Sequence, residues 1–130
     1  MSTEPEAGVV RLEVPPAARY LSAARLVAAS MAADAGLTVD DLDDLRLGVD
    51  ELVSALIAGV PDGAAAGARI ALEYVIDDRT VTVRGGVEGA EAAATPDALT
   101  DKILAAVADH YELGPSTFLI SKSSSLRERS

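Results

Sequence analysis

The chain of 130 residues contains no cysteine and no tryptophan, and it has one phenylalanine, Phe118, and one histidine, His110. Without cysteine there are no disulfides, no thiolate nucleophile and no zinc site built on sulfur, and a lone imidazole supplies no histidine cluster. A metal centre would have to be made of carboxylates, and none is expected. Positive charge is also scarce: Lys+Arg 11 against Asp+Glu 21 leaves a formal charge of -10. That field repels phosphate backbones and anionic membrane surfaces, so direct nucleic-acid and membrane binding are disfavoured. No apolar stretch approaches membrane-spanning length, and residues 1–8 carry acids where a signal peptide carries a basic flank and an apolar run, which makes the cytoplasm the expected address. There is no internal repeat of solenoid length.

What is present is a hydrophobic fraction of 49% with 25% charged residues, the mixture of a folded globular chain of one ordinary domain. With so few aromatics the core must be built from Leu, Val, Ile and Ala, and the elements must pack closely. Residues 1–8 and 123–130 read as flexible tails around a single domain at 9–122.

Val10, Leu12 and Val14 alternate with Arg11 and Glu13 ahead of Pro15 and Pro16, the period of a half-buried strand closed by residues that cannot continue it. Ala17 to Ala35 is rich in helix formers, with Gly36 placed to end the segment. Thr38 and Asp41 form a capping-box-like start for a second helix over 39–60, whose Leu42, Leu45, Val49, Leu52, Leu56 and Val60 make one apolar stripe. Glu51 points away from that stripe, among Leu47, Ser54, Ala55 and Ala58. Ile70 to Ile76 and Val81 to Val83 alternate around a turn at Asp77 to Arg79, predicting a hairpin followed by a small-residue loop over 85–94. Leu99, Ile103, Val107 and Tyr111 at four-residue steps predict a third helix that stops near Gly114, and Thr117 to Lys122 predicts a last strand. The order β-α-α-β-β-α-β implies a two-layer α/β sandwich: a mixed four-strand sheet covered on one face by three helices.

The stretch Leu45-Arg46-Leu47-Gly48-Val49-Asp50-Glu51-Leu52-Val53-Ser54 resembles the N-box helix of the GHKL (Bergerat-fold, histidine-kinase-like) ATPases. It is most similar to the anti-sigma-factor serine-kinase branch, with its Leu-x-x-Ala-x-x-Glu-Leu-Val-x-Asn-Ala pattern. The element order and the closing Ile103 to Asp109 and Ser116 to Ile120 segments extend the likeness to 9–122. The resemblance implies that Glu51 stands where the catalytic base stands, here a vestigial one. It also implies that Ala55 occupies the place of the magnesium-binding Asn, and Gly85 that of the Asp that reads the adenine amino group. An Ala methyl offers no lone pair to a cation that takes oxygen ligands, and the lid that usually precedes the last helix is replaced by Ala90 to Pro96. The implied function is a regulatory module like an anti-sigma factor with a decayed ATP site. Its protein partner would be a sigma factor or an anti-sigma antagonist, and a homodimer is left open. No cofactor is expected; ATP and magnesium belong to the alternative, an active protein serine kinase acting on an anti-sigma antagonist.

Simpler readings stand beside these. Glu51 reads first as a solvated helix acid, and Gly85, Gly86 and Gly89 as a loop, since they open no helix and lack the Lys-Ser/Thr of a phosphate cradle. His110 reads as a cation at a helix C-terminus, and Asp40, Asp41, Asp43 and Asp44 as a solvated first helical turn. An acyl-carrier reading of Asp44-Leu45 fails for want of the serine between them that would hold the prosthetic arm.

Overall fold

The structure, a computed structural model, describes residues 8–125. Five strands, β1 (Gly8–Val14), β2 (Arg69–Asp77), β3 (Thr80–Glu88), β4 (His110–Leu113) and β5 (Thr117–Ser123), form one sheet in the order β1-β2-β3-β5-β4. Every pairing is antiparallel. Three α-helices, α1 (Leu21–Asp34), α2 (Val39–Gly59) and α3 (Ala98–Val107), and two short 3₁₀ segments, Ala18–Tyr20 and Asp62–Gly67, are the other elements among the described residues. The two-layer α/β arrangement is as expected; the sheet is not. It has five strands rather than four and is antiparallel rather than mixed.

The extra strand comes from the end of α3. The four-residue spacing of Leu99, Ile103, Val107 and Tyr111 runs on past the real helix end: Ala108 is extended at φ −102 and ψ 146, and the chain re-enters the sheet at His110. Leu99, the first residue of that four-residue series, is 66% exposed, while Leu104, outside the series, is fully buried. A tight return through Gly114 to Ser116 then pairs β4 with β5. The folded segment also reaches beyond the expected 9–122: Gly8 and Ser123 are strand residues, and Ser125 bonds to Asp41. The rest of the two expected tails, 1–7 and 126–130, lies outside the described residues.

Local chemistry explains the other boundaries. At the end of α1, Gly36 takes φ 81, Leu37 N–H bonds to the Ala32 carbonyl and Gly36 N–H to that of Ala33, the glycine-closed end that satisfies the last helical carbonyls. Thr38 then caps α2, its hydroxyl accepting from Asp41 N–H at 3.1 Å. The hairpin turns on Asp78 and Arg79, both at positive φ, which matches the twist of the flanking strands.

The helices cover one face of the sheet, presented by Ile70, Leu72 and Tyr74 of β2, Val81 and Val83 of β3, and Phe118 and Ile120 of β5. Against it α2 buries Leu45, Val49, Leu52, Val53 and Leu56. Gly48 lets the helix approach Ile120 so closely that a Cβ would overlap the end of its side chain, with Val107 in ordinary contact beside it. Tyr74 is fully buried, its hydroxyl donating to the Ala24 carbonyl at 2.9 Å. Burial pushes that phenol far above its ordinary range. Among the described residues, the other face of the sheet carries no helix.

Candidate functional site

Docking of Leu52, Val53 and Leu56 fixes the rotation of α2 and leaves Glu51, Ser54 and Ala55 half-buried on its flank. There the Thr100 hydroxyl of α3 donates to Glu51 Oε1 at 3.4 Å. Thr100 is itself placed by the start of α3, where Asp97 Oδ1 accepts from Thr100 N–H at 2.7 Å. The hydrogen bonds from Thr100 hold the Asp97 carboxyl below its ordinary range. One turn beyond Glu51 stands the Ala55 methyl, which places no oxygen beside the carboxylate.

A further turn on, the chain is closed by backbone. Ala93 N–H bonds to the Gly59 carbonyl at 2.9 Å and Ala94 N–H to that of Pro115 at 2.8 Å, so the segment before α3 is tied both to the end of α2 and to the β4–β5 return. Ala94 is buried, and a Cβ on Gly59 would overlap the Ala93–Ala94 backbone. The segment that stands in place of a lid is thus packed down on the helix.

Gly85 does not open a loop. β3 continues through it to Glu88, and Gly85 is paired with Leu72 on one side and Phe118 on the other. The Phe118 ring lies where a Gly85 side chain would be, and any Cβ there would overlap it and crowd Leu72. The glycine is required because the only phenylalanine of the chain uses its space. The expected loop begins instead at Gly89, at φ +82, whose missing Cβ makes room for the Gly67 carbonyl. Glu51 and Ala55 therefore share one helix flank, whereas Gly85 lies inside the helix-facing layer of the sheet.

The structure also shows a polar cluster that sequence reasoning treated as solvent-facing acids. Asp41 is 5% exposed and accepts from both the N–H and the hydroxyl of Ser125, at 2.7 and 2.8 Å. Lys122, on the helix-facing side of β5, lies 3.3 Å from Asp44, 3.9 Å from Asp41 and 4.0 Å from Asp109. Burial alone would raise the Asp41 carboxyl; the hydrogen bonds from Ser125 and Thr38 and the nearby Lys122 charge outweigh it and leave it below its ordinary value. The signal for this cluster was available: Lys122 takes the inward parity of Phe118 and Ile120, and an inward lysine needs carboxylates. His110 is likewise not at a helix end. It opens β4, exposed, with Nε2 at 2.9 Å from Glu112. Among the described residues, no group of three or more His, Cys, Asp or Glu could hold a metal ion.

Two shallow concavities, of about 510 and 460 Å³, lie on the helix-free face and meet at Arg84. Glu51 and Ala55 line neither. No described helix is long and apolar enough to cross a membrane. No family model and no curated protein matches this chain.

Proposed function

We propose that this protein is a noncatalytic regulatory module that acts in the cytoplasm by binding a protein partner, as the resemblance to anti-sigma factors implies, with its nucleotide site decayed. The observation that carries the reading is the packing of Phe118 into the space of Gly85. Where the ATPases place an acceptor for the adenine amino group, this chain places an aromatic ring in the apolar layer. A site that discriminates through a hydrogen bond loses orders of magnitude in selectivity with its acceptor. Two further features point the same way: the methyl of Ala55 beside Glu51, and the backbone of Ala93 and Ala94 seated on Gly59. With chemistry set aside, function rests on surface. The charge of -10 favours a basic partner such as a sigma factor, or else an anti-sigma antagonist that recognises the same surface.

Calorimetric and thermal-shift titration with millimolar Mg-ATP tests the decayed site. No saturable heat and no rise in Tm are expected, whereas a site holding ligand at 100 times its Kd would gain about 2.7 kcal/mol. In parallel, capture from native lysate is expected to recover a sigma factor or an antagonist, independently of ATP and more weakly at high salt. An ATP-specific thermal shift, or phosphate transferred to a captured antagonist, would establish the serine-kinase reading instead.

A further inference from the structure

The ion pairs of the helix-free face leave two charges over. Arg11 lies 3.1 Å from Glu73 and Arg69 lies 3.4 Å from Glu13, which pairs four side chains across β1 and β2. Arg84 and Glu88, both exposed on β3, have no hydrogen bond, ion pair or ring contact among the described residues. Arg84 stands opposite Glu73, whose carboxylate is taken by Arg11, and Glu88 stands opposite Arg69, whose guanidinium is turned to Glu13. Both line the concavity of about 510 Å³, and Arg84 also lines the adjoining one.

Between them on the same face is Gly86, since strand residues two apart share a face. β3 is the middle strand of the sheet, where a glycine weakens the strand and packs nothing. Neither backbone nor packing asks for it. Its φ is not positive, and a Cβ there would make only ordinary contacts, 3.6 Å from the Thr117 methyl and 3.7 Å from the Ser116 carbonyl. Gly85 is the opposite case, its space being filled by Phe118. What the missing Cβ of Gly86 leaves is bare backbone in the concavity, beside Ala71, between an unpaired cation and an unpaired anion. Close approach by a ligand is one of the few uses of a glycine inside a strand.

We propose that this concavity binds a short zwitterionic peptide, its carboxylate on Arg84, its backbone over Gly86 and its ammonium group on Glu88. A guanidinium receives a carboxylate through two parallel hydrogen bonds, and a carboxylate accepts from an ammonium group. Arg84 and Glu88 are four strand residues apart, about 13 Å between Cα atoms. An extended tripeptide, about 10 Å long, bridges their two side chains, whereas a single amino acid reaches only one of them. A ligand of zero net charge also suits the chain: the field of a -10 protein repels phosphates but not a zwitterion, and with Glu13, Glu73 and Glu88 around it Arg84 is no phosphate site. Peptide binding here goes beyond the partner reading and does not rest on it: a chain that captures no sigma factor still answers every arm of the test.

Titration of the isotope-labelled full chain with trialanine, followed by amide NMR shifts, is that test. Saturable shifts at Arg84, Gly86 and Glu88 and at the residues paired with them are expected, with a Kd of about 1 mM. Acetylating the peptide's N-terminus, amidating its C-terminus, or replacing it with alanine alone should each weaken binding at least tenfold. Arg84→Gln should bind the free and the amidated peptide equally, and Glu88→Gln the free and the acetylated one, both with unchanged circular dichroism. Gly86→Val should abolish the shifts while Tm stays at or above that of the parent, because the position has room for a Cβ and a β-branched residue suits a central strand. The exposed Arg84 and Glu88 variants keep the test independent of how Gly86→Val folds. No saturable shift at tens of millimolar trialanine, equal binding of a capped peptide by the parent, or parent-like binding by Arg84→Gln would each overturn the proposal.

Discussion

The two ends of α2 are held by different physics. At its N-terminus, Thr38 caps the first turn, Asp41 takes two hydrogen bonds from Ser125, and Lys122 reaches across to Asp41, Asp44 and Asp109. At its C-terminus Ala55 and Gly59 present almost no side chain, and the Ala93–Ala94 backbone closes on Gly59, with the Gly85–Phe118 pair in the adjoining sheet. Directional bonds and charge fix the first end, which therefore responds to pH. Excluded volume fixes the second, which responds to size. The resemblance to an ATPase places the missing chemistry at the second end, where the added atoms of Asn and Asp would have to go.

The largest effect should come from placing at Gly85 the residue that the resemblance to the ATPases would put there. Gly85→Asp puts a carboxylate into the space of the Phe118 ring and against Leu72. Overpacking alone costs about 1–3 kcal/mol, and a buried, unpaired carboxylate adds to it, so a loss of at least about 3 kcal/mol is expected in urea unfolding. A loss under 1 kcal/mol would mean that Phe118 swings aside readily and that the steric end of the comparison is soft. The double variant Gly85→Asp with Phe118→Ala sharpens the point: the two changes share one space, so their costs should fall short of additive.

The polar end should yield next. Lys122→Met removes the cation among three carboxylates and leaves the buried Asp41 with only the neutral hydroxyl and amide partners of Ser125 and Thr38, at a cost of about 2–3 kcal/mol near neutral pH. The sign of the pH effect follows from Asp41. Its folded carboxyl lies below the ordinary value of 3.8, so its stabilising contribution is fully present above that value and is lost as pH falls through the folded one. Stability of the parent chain should therefore drop below about pH 4, and Asp41→Asn should flatten that limb of the profile, read from urea midpoints across pH. An equally steep acid limb in Asp41→Asn would assign the sensitivity elsewhere. The steric end should show no comparable dependence.

How far the sequence could be read follows the same division. Period and caps announced β1, α1, α2 and the hairpin, because Leu12, Leu45, Leu52 and Tyr74 keep the spacing that their elements impose. The boundary of α3 was hidden, since Tyr111 continues a four-residue spacing by coincidence and its inward position comes from strand parity in β4. The antiparallel sheet depends on that boundary and was lost with it. At the candidate site, Glu51 and Ala55 could be placed together from helix geometry alone. Gly85 could not be placed with them, because its neighbour Phe118 lies 33 positions away and only the β3–β5 register brings the two into one layer. For Lys122 strand parity already marks an inward cation in need of carboxylates; that Asp41 is among them follows only when α2 crosses β5.

The smallest effect belongs to the residue that lies between the two ends. Glu51 is half-buried, and its bond from the Thr100 hydroxyl, at 3.4 Å, is long. Glu51→Gln keeps an oxygen where Oε1 accepts and removes only the charge, so stability should change by no more than about 0.5 kcal/mol, as for a change that breaks no network. If the site is decayed as proposed, the same variant should leave partner capture and the Mg-ATP titration as they are in the parent chain. Urea midpoints of the parent and Glu51→Gln, measured side by side, decide it. A shift worth 2 kcal/mol or more would make Glu51 a paired, order-giving carboxylate like Asp41 and would extend the electrostatic end of α2 through the middle of the helix; a loss of phosphate transfer in the variant would return it to catalysis.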